Sequence, residues 1–404
     1  MANFDLMRQL TIPTGGKIIM LVMDGLGDIP MLPGGATALE QAATPVMDKL
    51  ASEGCLGLSH PIERGITPGS GPAHLTLFGY DPVTTPVGRG VLSALGVGIP
   101  IQSGDVAARG NFCTVDADGV ITDRRAGRIS SESAEPLVQK LAGIRLDGVE
   151  TILRLEKEYR FVLVLRGEGL SEAVSESDPQ ATGQKPLPIH ALRPEGEKTA
   201  GLLQSWLAQA AQVLADEHPA NMVTLRGFAQ DPRLPQFTEV YRLKAACVAV
   251  YPMYKGVASL VGMDILPSQS HYTPADEFQV VADYWDQYDF FFVHVKPTDS
   301  RGEDGDQPGK ARVIAEVDAA LPRLLALQPD VLIITGDHST PARLRSHSWH
   351  PVPTLLWAPK THLTDACVSF GEREAQRGGL GQFPARELMP LALAHALRLA
   401  KYGA

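Results

Sequence analysis

The longest apolar runs in the chain are short and are bounded by Gly, Pro or Asp. Residues 17–23 (KIIMLVM), 247–250, 290–295 (FFFVHV) and 331–335 (VLIIT) lack the polar alternation of a half-exposed strand. They predict strands covered on both faces, as in a parallel sheet. Residues 355–357 begin one more short strand. Helical spacing separates these runs. In residues 44–54 (TPVMDKLASEG), Thr44 stands at the cap, Pro45 at the first helical position and Gly54 at the stop. Residues 88–98, 200–214 and 310–327 are further helical stretches, and residues 384–399 read as an amphipathic terminal helix. Strands that recur with helices between them predict an α/β core with a central, mostly parallel sheet flanked by helices.

Between about residues 104 and 244 the pattern changes to short runs such as 160–165 (RFVLVL), broken by Gly, Pro and Asp turns. This stretch reads as a smaller α+β lobe inserted into the core. The expected organisation is a discontinuous core domain, residues 1–103 with 245–404, and an inserted lobe, residues 104–244.

Composition narrows the function classes. A chain of 404 residues, 44% hydrophobic, can bury a large core, and its net charge of -10 argues against a general nucleic-acid surface. An anionic substrate must therefore be met by a local basic cluster. Cys55, Cys113, Cys247 and Cys367 form no Cys-x-x-Cys pair, which fits a reducing cytoplasm. The first strongly apolar run, residues 18–23, is too short to span a membrane, and no targeting segment is visible. The expectation is a cytoplasmic protein that binds a small metabolite and neither nucleic acid nor membrane. Nothing in the chain sets its oligomeric state.

The candidate chemistry lies at the strand ends. Asp24, Asp299 and Asp337 each follow a predicted strand, where open α/β sheets place their ligands. Three crowded carboxylates repel unless cations sit among them, and His338, Glu303, His347 and His350 lie close by in sequence. Mixed Asp, Glu and His donors suit two divalent ions, with Mn or Zn favoured and Mg or Co as further candidates. Ser70 lies in residues 65–82 (GITPGSGPAHLTLFGYDP), between two glycines at a helix start. Ser70 is either a helix cap or a nucleophile, and the acids and histidines elsewhere favour the nucleophile. Arg109 and the segment DRRAGR, with Asp123, Arg124 and Arg128, read either as a solvated surface or as a clamp for phosphate or carboxylate.

Taken together, VMDGLGD (22–28), TPGSGPAHLTLFGYDP (67–82), GRGVLSALGVGI (88–99), GDVAARGNF (104–112), DRRAGRI (123–129), PMYKG (252–256), VKPTDSRGEDGD (295–306), GDHSTP (336–341) and HSWHPVP (347–353) resemble one family along nearly the whole chain. That family is the archaeal-type branch of the cofactor-independent phosphoglycerate mutases, within the alkaline phosphatase superfamily. The resemblance implies interconversion of 3- and 2-phosphoglycerate, with Ser70 taking and returning the phosphoryl group. It further implies that Asp24, Ser70, Asp337 and His338 hold one metal and Asp299, Glu303 and His347 the other. Lys255 would lie near the transferring phosphate, and Arg109, Asp123, Arg124 and Arg128 would bind substrate.

The chain departs from the pattern at three places. Glu303 stands where the family usually has His, Gly71-Pro72 where it usually has Asp-Thr, and His350 where an Asp is common. Two other readings fit the same residues: a metal-dependent phosphatase or mutase for another phosphorylated metabolite, and a non-catalytic paralogue that binds a phosphorylated ligand.

Overall fold

The computed structural model describes residues 3–403. In chain order the strands are β1 (Ile18–Met23), β2 (Cys55–His60), β3 (Val106–Val115), β4 (Ile121–Asp123), β5 (Glu150–Lys157), β6 (Arg160–Arg166) and β7 (Met222–Ala229). They continue with β8 (Ala245–Ala249), β9 (Asp264–Ile265), β10 (Phe290–Val295), β11 (Val331–Thr335), β12 (Val352–Trp357) and β13 (Gly381–Pro384). They make two sheets in two compact units, residues 1–86 with 235–404, and residues 87–234.

The first unit is a mixed α/β structure whose eight-stranded sheet has the order β13-β2-β12-β11-β1-β10-β8-β9. β1 lies parallel between β10 and β11, and β8 is parallel to β10. β12 runs antiparallel to both β11 and β2. Every residue of β1, β10 and β11 is buried, which explains their unbroken apolar composition. The registers Met23↔Val295 and Val22↔Thr335 bring the carboxyl ends of the three strands to one edge of the sheet.

Some helices differ from their sequence expectation. The stretch 310–327 is two helices, Gln307–Ala320 and Pro322–Leu325, because Pro322 cannot donate to the preceding turn. The tail forms β13 and then a short helix, Leu388–His395, in which Leu388, Met389, Ala392 and Leu393 are all buried. All four cysteines are buried and unpaired.

The second unit is a five-stranded antiparallel sheet in which β3 pairs with β4, β6 and β7, and β6 with β5. Phe112, Phe161 and Trp206 anchor its core with the helices Ser131–Leu141 and Glu197–Leu214. The units divide at 86/87 and 234/235, whereas the sequence reading set 103/104 and 244/245. The helix Arg89–Gly96 accounts for the first shift because it packs on the second sheet. A Cβ added at Gly90 would lie 2.1 Å from the Ala107 carbonyl oxygen, so only glycine allows this approach. At the other end, the helix Phe237–Tyr241 joins the first unit, where the Tyr241 hydroxyl donates to Phe78 O at 2.9 Å. No helix among the described residues is long and apolar enough to cross a membrane.

Candidate active site

The three strand ends place their acids differently. Asp24 directly follows β1, and Asp337 lies two residues beyond β11; both are wholly buried. Asp299 sits one turn further on, in the first turn of the helix Pro297–Asp304. Ser70 opens the helix Ser70–Leu77, whose N-cap is Gly69 with φ -86° and ψ 156°. Ser70 is therefore not the cap. Its hydroxyl is 3.2 Å from His338 Nε2, and that nitrogen is also 3.2 Å from Asp337 Oδ2 and 3.3 Å from Asp24 Oδ1.

Hydrogen bonding fixes the tautomers of the histidines. The Thr340 hydroxyl donates to Asp299 Oδ1 at 2.7 Å, so its oxygen accepts from His338 Nδ1 at 3.0 Å. His347 Nδ1 donates to Pro68 O at 3.0 Å, and His347 Nε2 lies 3.7 Å from Asp299 Oδ1. The two rings stack with centroids 3.7 Å apart. His338, kept neutral by burial, thus turns an unprotonated Nε2 toward carboxylate oxygens, the form in which imidazole binds metal, while His347 points its Nε2 at Asp299.

This arrangement tests whether a metal fits. Asp24 Oδ1 and Asp337 Oδ2 are buried without a hydrogen-bond partner, and the nearest nitrogen on His338 carries no proton. Burial alone would raise the Asp24 carboxyl, but Lys296, with His294 and His338, holds it well below the ordinary value. Burial and the Asp24 charge push Asp337 well above it, so one carboxyl of the pair is ionised at the expense of the other. Burial also keeps His338 neutral, well below its ordinary pKa. The buried oxygens of Asp24 and Asp337 and the bare His338 Nε2 converge into a donor set for a cation, whose binding would displace the proton that Asp337 holds. Ligand-type atoms lie within 4.8 Å of one another in two groups, Asp24–Asp337–His338 and Asp299–His338–His347, with His338 common to both.

Around the acids is a shell that local sequence patterns did not single out. Lys296 Nζ lies 2.9 Å from Asp24 Oδ2 and also pairs with Asp299. The Tyr254 hydroxyl donates to Asp24, and the His294 ring stacks on Tyr254 at 3.6 Å. His74 Nδ1 donates to Ser70 O at 2.7 Å and stands 3.3 Å from Asp337 Oδ2; burial pushes its pKa down to about 3. A histidine inside the apolar run FFFVHV was the one visible signal, because an unexplained polar group in a buried strand needs a partner.

The remaining predicted residues fall outside these groups. Glu303 lies one turn beyond Asp299 on the same helix and is exposed as a residue, yet partial desolvation of its carboxyl, with the Asp299 charge, raises its pKa. His350 accepts or donates at Ser348 Oγ, 2.9 Å from its Nδ1, and joins neither group. Lys255 is half-buried in the helix Pro252–Leu260, and burial lowers its ammonium. In the second unit, Arg109 on β3 lies 3.3 Å from Glu156 Oε2, and burial lowers its pKa. Arg124 is paired with Asp178, which also meets Arg226 at 3.5 Å. The Asp123 carboxylate accepts from the Arg125 and Gly127 N–H groups at 2.8 and 2.7 Å and so shapes the turn that carries the exposed Arg128.

A hydroxyl at the start of a helix, beside neutral histidines and buried carboxylates at the carboxyl edge of a largely parallel sheet, defines a group-transfer enzyme of the α/β class. Comparison with known proteins gives the family. Residues 51–221 match the family model described as 2,3-bisphosphoglycerate-independent phosphoglycerate mutase. A Thermus thermophilus protein named "Probable 2,3-bisphosphoglycerate-independent phosphoglycerate mutase" is 50% identical over 404 residues, 99% of each chain. A Deinococcus radiodurans protein of the same name is 48% identical, again over 99% of each chain. Among solved structures, the cofactor-independent phosphoglycerate mutase of Thermoplasma acidophilum is 32% identical with a TM-score of 0.73, covering 94% of this chain and 100% of that one. A Pyrococcus horikoshii protein is 31% identical with a TM-score of 0.82, covering 96% and 99%. The chain belongs to the 2,3-bisphosphoglycerate-independent phosphoglycerate mutase family.

Proposed function

We propose that this enzyme interconverts 3- and 2-phosphoglycerate through a phosphoserine on Ser70. The observation that carries the reading is the Ser70 hydroxyl set 3.2 Å from His338 Nε2, in the first turn of a helix and next to the paired Asp24 and Asp337 carboxylates. In the forward step Ser70 Oγ forms a bond to phosphorus while the bond from phosphorus to the glycerate oxygen breaks. The proton lost from Ser70 ends on that released oxygen. Transfer to the neighbouring hydroxyl reverses the same bond changes.

Asp24, Asp337 and His338 would hold one divalent ion with Ser70, and Asp299 and His347 would hold a second with Glu303. The donor set suits Mn or Zn. When bound, such ions neutralise charge on the phosphoryl oxygens and favour ionisation of the serine. Lys296, already paired with Asp24 and Asp299, keeps the Asp24 carboxylate ionised. Lys255 is assigned to the transferring phosphoryl group. In the second unit, Arg109, Arg124 and Arg128 would hold the glycerate, with Asp123 supporting their loop.

The test is phosphorus NMR of purified protein with 3-phosphoglycerate and added Mn, Zn, Co or Mg, in the absence of bisphosphoglycerate. Appearance of 2-phosphoglycerate is the expected result. Release of inorganic phosphate alone would make the enzyme a phosphatase, and no reaction with any ion would remove the catalytic reading.

A further inference from the structure

Lys310 lies in the first turns of the helix Gln307–Ala320 and is completely buried. Its ammonium donates three hydrogen bonds, and all three end on main-chain oxygens: Gly25 at 2.8 Å, Gly27 at 3.1 Å and Thr340 at 3.0 Å. Gly25 and Gly27 belong to the turn that carries Asp24. Thr340 belongs to the turn that carries Asp337 and His338. The same turns also touch directly. The Thr340 N–H is shared between Gly25 O at 3.2 Å and Gly27 O at 3.0 Å, and the Gly25 N–H donates to Asp337 Oδ1 at 3.0 Å. An added Cβ at Gly27 would fall 1.9 Å from Ser339 Oγ, so the approach of the two turns leaves no room for a side chain there.

Three carbonyl oxygens drawn to one point repel one another, and something positive has to sit among them. Here a lysine does so; burial lowers its ammonium, and the Asp28 and Glu372 carboxyls act against that lowering. A buried ammonium that gives all its donors to two active-site turns is an expensive way to fill space, since burial of a charge is tolerated only with full hydrogen bonding.

We propose that Lys310 is a positioning residue: an internal cation that locks the turn of Asp24 to the turn of Asp337 and His338, so that these ligands are assembled before any metal arrives. The proposal rests on reading those three residues as metal ligands. The lock acts through main-chain oxygens and touches neither the ions nor the substrate.

Two measurements test it on the full chain. The first is hydrogen exchange of metal-free wild type at the amides of Gly25 and Thr340. They are expected to be protected like those of β1 before Mn is added. Exchange as fast as in the exposed turn at residues 116–119, with protection only after Mn binds, would overturn the lock. The second is calorimetric titration of Lys310→Gln with Mn. The variant should melt cooperatively yet bind Mn at least about tenfold more weakly, the scale on which supporting residues act on metal affinity. An unchanged binding curve in the folded variant would overturn the proposal. If that variant does not fold, the exchange measurement on wild type decides. Wild type that takes up neither Mn nor Zn would overturn the ligand reading itself, and with it the role given to Lys310.

Discussion

The Thr340 hydroxyl donates to Asp299 at 2.7 Å, and this one bond sets the tautomer of His338, two residues back on the same turn as Thr340. Because the Thr340 proton is committed to the carboxylate, His338 has to donate from Nδ1 and keeps Nε2 bare. Thr340→Val should therefore release the His338 tautomer and lower turnover about 10- to 100-fold. Stability should fall by only about 1–3 kcal/mol from the lost buried hydrogen bonds. Thr340→Ser should recover most of the activity. Steady-state rates with saturating Mn, together with thermal melts, check both variants. Equal activity in Thr340→Val and wild type would show that the tautomer is held by something else.

Ser70→Ala should abolish mutase activity while changing stability by less than about 1 kcal/mol, since Gly69 and not Ser70 caps the helix. Loss of the phosphoserine by mass spectrometry, alongside an unchanged melt, is the check. Residual turnover at the wild-type rate would place the nucleophile elsewhere.

Glu303 is exposed and stands one turn from Asp299, outside the tight donor groups. As the proposed extra ligand of the second ion, its removal in Glu303→Ala should raise the Mn concentration for half-maximal activity about tenfold or more and leave the limiting rate less affected. Superimposable Mn titrations of variant and wild type would exclude Glu303 from the metal site.

Glu372 gives the enzyme a pH-dependent stability. It is buried, accepts from the Thr37 hydroxyl at 2.5 Å and from the Asp28 N–H at 3.1 Å, and burial pushes its carboxyl from 4.5 up to about 7. Between these values the folded chain holds a proton that the unfolded chain has lost. The stabilising contribution is therefore complete below about pH 4.5 and is lost as pH rises through about 7, at up to about 1.4 kcal/mol per pH unit. Denaturant unfolding of metal-free wild type and Glu372→Gln should show wild type losing stability relative to the variant across this window. Parallel curves would mean that Glu372 keeps an ordinary pKa.

The strand-end acids were legible because each ends an apolar run, and apolar runs of this kind sit side by side in a parallel sheet. The family was legible from motifs spread over the whole chain. Ser70 was legible as a residue of interest, but not its place in the helix, since capping by Gly69 depends on one ψ angle that sequence leaves open. Lys296 and Tyr254 lie within quoted motifs, yet their bonds to Asp24 are tertiary. So are those of Lys310, which reads as one more lysine on a helix until the helix is docked. The breaks at Pro322 and at residues 384–387 show the reverse, with helical spacing present and local backbone chemistry deciding against it.

The central place of β1 between β10 and β11 also governs when the enzyme can come into being. Gly25 and Asp337 share a hydrogen bond across 312 positions of chain. At ~5–20 residues per second, a ribosome needs about 15–60 s to cover that distance. For most of this interval the six apolar residues of β1 have neither flanking partner, because residues 87–234 are completed before β10 and then β11 are made. A nascent polypeptide cut short before β11 carries Asp24 and Ser70 but no reactive arrangement, so competence arrives only once β11 has been made.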